Sequence, residues 1–174
     1  FALKPYHAPA WLPGGHAQTI YPLLIKPVAR PYRRERWETP DNDFIDLDWN
    51  DATGPVPTND QTPLVVLFHG LEGSSDSHYA RALMNALAAI GWSGAVVHFR
   101  GCSGEPNRLP RAYHSGDSEE IDWILRRLRH QYPNRALYAA GVSLRGNALL
   151  KWLGERESSA AAVIDAAAAI SAPL

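Results

Sequence analysis

Cysteine is nearly absent: Cys102 is the only one in 174 residues. A lone thiol excludes an internal disulfide framework and fits a reducing, cytoplasmic compartment. Long apolar runs are missing too. No stretch reaches the roughly 18 apolar residues that mark a membrane span, and the first residues lack the basic start and apolar core of a signal peptide. Charge of one sign is not in excess. Lys and Arg number 17 against 18 Asp and Glu, a net charge of −1, so no global field favours nucleic acid or an anionic membrane. Metal ligands are sparse: Cys102 with His98 and His114 is too small a set for a closed zinc site. No Gly-Lys-Ser/Thr follows Gly70 to Ser75, which excludes a phosphate-cradling P-loop. Neither a metal nor a cofactor is expected. The chain opens on Phe1 rather than Met, so a trimmed or partial product is expected.

What is present suits a soluble globular domain: 45% apolar and 20% charged residues. The length fits a single domain over residues 1–174. Residues 1–32 hold Pro5, Pro9, Pro13, Pro22, Pro27 and Pro31, with Tyr6, Trp11 and Tyr21 between them. Prolines at this density interrupt regular structure. The segment therefore reads as an irregular arm anchored by its aromatics, with Gly14-Gly15-His16 as a turn. Sheet and helices are expected over 33–174. Arg30, Arg33, Arg34 and Arg36 read as a solvated strand face rather than a nucleic-acid patch. Residues 33–39 and 43–49 read as two strands around a turn at Pro40-Asp41-Asn42. The near-alternation of Phe44, Ile45, Leu47 and Trp49 with Asp43, Asp46 and Asp48 predicts a half-exposed strand at an antiparallel edge.

From Leu64 onward the pattern changes. Leu64 to Phe68 is a continuous apolar strand of the kind buried on both faces. Ala80, Leu83, Met84 and Leu87 repeat at helical spacing before Gly91. Ala95 to Phe99 is a further apolar strand. Ile121, Ile124, Leu125 and Leu128 form a helix stripe, with Asp117 as its cap. Ala136 to Ala140 is another buried strand and a helix follows it. Gly154 to Ser159 reads as a turn, and Ala161 to Ile170 as a last apolar strand or strand plus loop. Strands alternating with helices imply right-handed βαβ units and a mostly parallel sheet.

Two strand ends carry chemistry. Gly141-Val142-Ser143-Leu144 places a serine between strand and helix, the setting of a nucleophile elbow. A serine hydroxyl must project clear of the sheet to meet a base. His69-Gly70-Leu71-Glu72-Gly73 ends the neighbouring strand. Active groups gather at such carboxyl ends. The backbone N–H groups of Leu71 and Leu144 are the candidate oxyanion donors. His69, Gly70, Gly141 and Arg145 are expected to line the site. Arg100, Arg108, Arg111 and Asp117 are expected to form an ion network that fixes the loop beside it.

A longer string of motifs resembles one family. It comprises His69-Gly70-Leu71-Glu72-Gly73-Ser74-Ser75, Phe99-Arg100-Gly101-Cys102-Ser103-Gly104-Glu105, Asn107-Arg108-Leu109-Pro110-Arg111, Tyr113-His114-Ser115-Gly116-Asp117, and the segment from Gly141 to Glu155. With Gly14-Gly15-His16 and Gln18-Thr19, these are similar to the YheT-like α/β-hydrolases. The resemblance implies an α/β-hydrolase fold, Ser143 as nucleophile, and hydrolysis of small acyl esters, in the manner of an esterase or lipase. It also exposes two departures. Arg145 stands where the family's elbow has a glycine, so a crowded turn is expected. No histidine follows Ser143, and Glu155, Glu157 and Asp165 come too early for the family's acid. The chain is thus expected to be the family's N-terminal half, with the C-terminal half missing. Two alternatives accompany the enzyme reading: a non-catalytic relative that binds an acyl ligand, or a half that pairs with another chain, including a second copy, through its unfinished sheet.

Overall fold

A computed structural model describes residues 7–25, 27–50, 61–110 and 118–173. Its elements in chain order are helix α1 (Gly15–Leu24), strands β1 (Arg33–Glu38), β2 (Phe44–Asn50) and β3 (Leu64–Phe68), helix α2 (His78–Ala89), and strand β4 (Ser93–His98). Helix α3 (Ser118–Gln131), strand β5 (Leu137–Val142), helix α4 (Leu144–Arg156), a 3₁₀ turn (Glu157–Ala162) and strand β6 (Ala166–Ile170) follow. Several features read from sequence lie outside the described residues: Pro5, Tyr6, Arg111, Tyr113, His114, the Asp117 cap, and most of the loop between β2 and β3.

The six strands form one sheet in the order β1-β2-β4-β3-β5-β6. The β1–β2 and β2–β4 pairs are antiparallel, while β4–β3, β3–β5 and β5–β6 are parallel. The apolar runs predict the parallel part because helices cover both of its faces. Val66, Phe68, Val97, Phe99 and Leu137 pack on one face against Ile121, Ile124, Leu125 and Leu128 of α3, and Leu149 and Trp152 of α4. Val65, Leu67 and Val96 pack on the other face against Ala80, Met84 and Leu87 of α2.

Three local readings change. The arm holds a regular helix, α1, running through Pro22, because a proline disturbs only the turn before it. The turn expected at Gly154 to Ser159 is helix and 3₁₀ turn. Strand β2 is not half-exposed: all seven of its residues are buried. Arg34 and Arg36 of β1 reach across the hairpin, forking onto the carboxylates of Asp48 and Asp46 at 2.7–2.9 Å. A paired carboxylate can lie inside where a lone one cannot. The polar half of the alternation is thus covered by the neighbouring strand's arginines.

Candidate active site

One residue, Ser143, separates β5 from α4. Its backbone sits at φ 54°, ψ −125°, a region that residues with side chains rarely adopt and that costs on the order of 1–3 kcal/mol. Neighbours hold it there. The Ser143 N–H donates to the Ile170 carbonyl at 2.9 Å, and the Asn147 N–H donates to the Ser143 carbonyl at 3.1 Å. The strand must run very close to the helix for so sharp a turn. A Cβ on Gly141 would lie 2.6 Å from the Arg145 carbonyl oxygen, and one on Gly146 would lie 3.0 Å from the Gly141 oxygen. Both glycines are needed for that approach. The hydroxyl of Ser143 has no hydrogen-bond partner among the described residues. Leu144 opens α4, so its N–H is one of the helix's unpaired N-terminal donors.

The turn after β3 lies against this elbow. A Cβ on Gly70 would touch Ser143 Cβ at 3.4 Å and the Val142 oxygen at 3.5 Å. The turn closes through the Gly73 N–H donating to the Gly70 carbonyl at 3.0 Å, with Glu72 at φ 52°. Tyr79 of α2 accepts the Gly70 N–H at 3.0 Å. Leu71, the next residue after Gly70, is 62% exposed. A side chain at Gly70 would thus meet Ser143 and Val142, while Leu71 and Leu144 follow Gly70 and Ser143 in the chain.

His69 is fully buried. Its Nδ1 lies 2.7 Å from the Gly70 carbonyl, which can only accept, so the proton is on Nδ1. Nε2 is buried without a hydrogen-bond partner among the described residues. Burial pushes the imidazole down to about 4, against the Gly70 bond, which raises it. His69 is therefore a neutral brace for the turn, and no hydrogen bond joins it to Ser143. Among the other described histidines, His7 is exposed and His78 opens α2 with its ring edge-on to that of Tyr79. His98 faces Asp48 at 2.8 Å and the Cys102 carbonyl at 3.3 Å, His16 is exposed on α1, and His130 ends α3.

Arg145 does not crowd the elbow. It is 1% exposed, with the guanidinium carbon over the Phe99 ring, 3.4 Å from its centre. The positive φ falls on Ser143 and not on Arg145. Cys102 lies nearby, half-buried, with burial pushing its thiol up, which makes it a poor nucleophile. Arg100 is buried in an ion network, but with partners the sequence did not mark: Asp41, Asp43 and Glu120 at 2.9–3.1 Å. Arg108 pairs instead with exposed Glu38. Asn107 donates to Asp43 and the Phe44 carbonyl, tying the loop after β4 to β2.

A second brace was not legible in advance. Asp48 accepts from Arg34, from the Ser75 hydroxyl at 2.6 Å and from His98. Burial pushes its carboxyl up, but these hydrogen bonds outweigh burial and hold it below the usual range. Together they link the loop after β3 to β2 and β4. The one sequence signal was the aspartate's presence in an apolar strand. A pocket of about 200 Å³ lined by Thr39, Asp41, Arg100, Glu120 and Trp123 shares no residue with the Ser143 turn. Among the described residues no group of three His, Cys, Asp or Glu could hold a metal ion, and no helix is long and apolar enough to cross a membrane.

Comparison with known proteins follows this geometry. Residues 63–172 match the family described as alpha/beta hydrolase fold. The chain is 44% identical over 160 residues to YheT of Escherichia coli strain K12, designated an esterase by its name. That match covers 91% of this chain and 45% of YheT. It is 30% identical to human Phospholipase ABHD3 over 153 residues, covering 86% of this chain and 37% of that protein. The chain spans less than half the length of these relatives. Among solved structures, the esterase Pf2001 of Pyrococcus furiosus superposes with a TM-score of 0.62 at 21% identity, covering 86% of this chain and 56% of that one. A serine hydrolase without a lid from Xanthomonas campestris superposes at 0.56 with 16% identity, covering 76% and 60%. At such identities these two show the fold alone.

Proposed function

Because this chain belongs to the alpha/beta hydrolase fold family, we propose that it carries the nucleophile and oxyanion parts of a serine hydrolase for small carboxylic (acyl) esters. The observation that carries the reading is the backbone of Ser143 at φ 54°, ψ −125° between β5 and α4. A strained residue at a strand-to-helix turn is held only when its surroundings over-determine it, and here the flanking glycines and the Ile170 contact do so. The names of the relatives, an esterase and a phospholipase, support the same substrate class.

In this reading Ser143 Oγ attacks the ester carbonyl carbon. The C=O π pair moves onto oxygen, and the N–H groups of Leu71 and Leu144 stabilise that oxyanion; one such donor typically contributes about 3–4 kcal/mol. Collapse expels the alcohol and leaves an acyl-serine, which water then cleaves. Both steps need a base, and no histidine follows Ser143 in the sequence. None of the described histidines hydrogen-bonds its hydroxyl. In this reading the base is a group that no described hydrogen bond joins to Ser143. A second reading follows from that same gap: the 174 residues by themselves are a non-catalytic half that binds an acyl ligand or pairs with another chain.

Labelling with a fluorophosphonate probe separates the two readings, with Ser143→Ala as control. Labelling that disappears in the control supports the activated-serine reading. A folded chain that takes no label places catalysis outside these residues.

A further inference from the structure

Helix α1 presents an unburied apolar face among the described residues. None of its ten residues is buried. Ile20, Leu23 and Leu24, spaced three and four apart on one helical face, are 53%, 51% and 78% exposed. Trp11, Ile25 and Val28 around it are 65%, 56% and 82% exposed. A helix this short gains its stability from an apolar face against a surface rather than from propensity, so this face is built for a partner.

Charge identifies the partner. Of the chain's 17 Lys and Arg and 18 Asp and Glu, residues 1–32, ahead of β1, hold Lys4, Lys26 and Arg30 and no acid at all. The near-neutral total conceals a basic, apolar arm on an otherwise acidic body. Its aromatics sit at the same place: Trp11 stacks edge-on against Tyr21 of α1 at 4.9 Å. Amphipathic rings, an apolar helical face and flanking bases are the chemistry of a helix lying in a lipid headgroup layer. The arm is also anchored close to the candidate site. Arg81 and Asn85 of α2 donate to the carbonyls of Pro27 and Val28. The Tyr32 hydroxyl donates to the Ser75 carbonyl, in the loop that begins with the exposed Leu71.

We propose that α1 and its flanks dock the protein on an anionic lipid surface. The proposal stands on α1 and not on the chemistry of Ser143, and its test reads binding alone. Co-sedimentation is measured with phosphatidylcholine vesicles and with vesicles containing phosphatidylcholine and phosphatidylglycerol at about 7:3. Binding about tenfold or more tighter to the anionic vesicles is expected, falling steeply in about 0.5 M salt. The double variant Leu23→Glu with Leu24→Glu is expected to lose that binding about tenfold or more. Its melting curve should stay that of the parent, since neither side chain is buried. Ile90→Glu, equally exposed at the end of α2, is expected to bind as the parent does. Ser143→Ala should also bind unchanged, so failure of the catalytic reading leaves this result intact. Equal binding to both vesicle types, or none to either, overturns the proposal. So does a dimer in light scattering that the double variant dissolves, because α1 then covers a second copy.

Discussion

His69 and Arg145 both lie against the Phe99 ring, and both are buried polar side chains whose roles follow from where their polar atoms point. His69 lies at about 4 in the folded chain against 6.5 in the open one. Between those values the unfolded chain holds a proton that the folded chain lacks, so stability falls as pH drops through the window. From pH 6.5 down to about 5 the loss is about 2 kcal/mol, at 1.36 kcal/mol per unit. Asn at this position can keep donating to the Gly70 carbonyl but does not titrate. Urea midpoints of the parent and His69→Asn at about pH 7.5 and pH 5 should therefore differ in slope by that amount; equal slopes would mean that His69 charges inside the fold. Arg145→Gly restores the glycine of the resembled family's elbow, yet it should destabilise by about 2–4 kcal/mol. It removes a buried stem, a cation–ring contact and a side chain from the first turn of α4. A thermal melt that rises would mean the arginine strains the turn. The Gly-x-Ser signal made the elbow legible. The direction of the Arg145 side chain was not, since it depends on the Phe99 ring brought in from β4.

At the scale of elements, the continuous apolar runs were the most readable part. Strands β3, β4 and β5 fall within about two residues of the expected ranges because burial on both faces leaves only one kind of residue. Helices α2 and α3 were legible for the matching reason, a single apolar stripe. Strand β2 was misread because alternation reports the polarity of side chains and not what covers them. Asp46 is fully buried, and the Arg36 that covers it comes from ten residues upstream. Arg36→Gln should therefore cost more than a surface ion pair does. The loss should stay below that for a wholly buried pair because Arg36 is 35% exposed. Replacing both residues by leucine should recover most of the loss, since no buried charge is then left alone. Chemical denaturation of the single and double variants decides it, and a neutral Arg36→Gln would show that water already reaches Asp46. Helix α1 escaped notice for the opposite reason: its prolines and glycines are turn signals, and Pro22 is tolerated where the helix buries nothing.

At the scale of the molecule, the two outer strands of the described sheet differ in character. The β1 edge carries three arginines and two glutamates, the charged edge that discourages pairing with another sheet. The β6 edge is four alanines and Ile170, every one of them exposed. Ala166, Ala168 and Ile170 alternate with Ala167 and Ala169 across the two faces, with α4 on one of them, and the outer row of N–H and C=O groups is unpaired within this sheet. Such an edge is a template for a further strand. It also supports the elbow, because Ile170 accepts the Ser143 N–H, so whatever pairs with β6 stiffens the turn that holds the serine. In solution this chain should therefore self-associate through β6, with a light-scattering mass above its 19.2 kDa that rises with concentration. Ala168→Lys places a charge in the middle of the exposed strand and should return the mass to that of one chain. Leu23→Glu on α1 should leave the association unchanged, which separates the sheet edge from the apolar helix as its cause. A chain that stays monomeric at high concentration would show that β6 is too short and too small-sided to recruit a strand, and that the elbow is held by β5 and α4 alone.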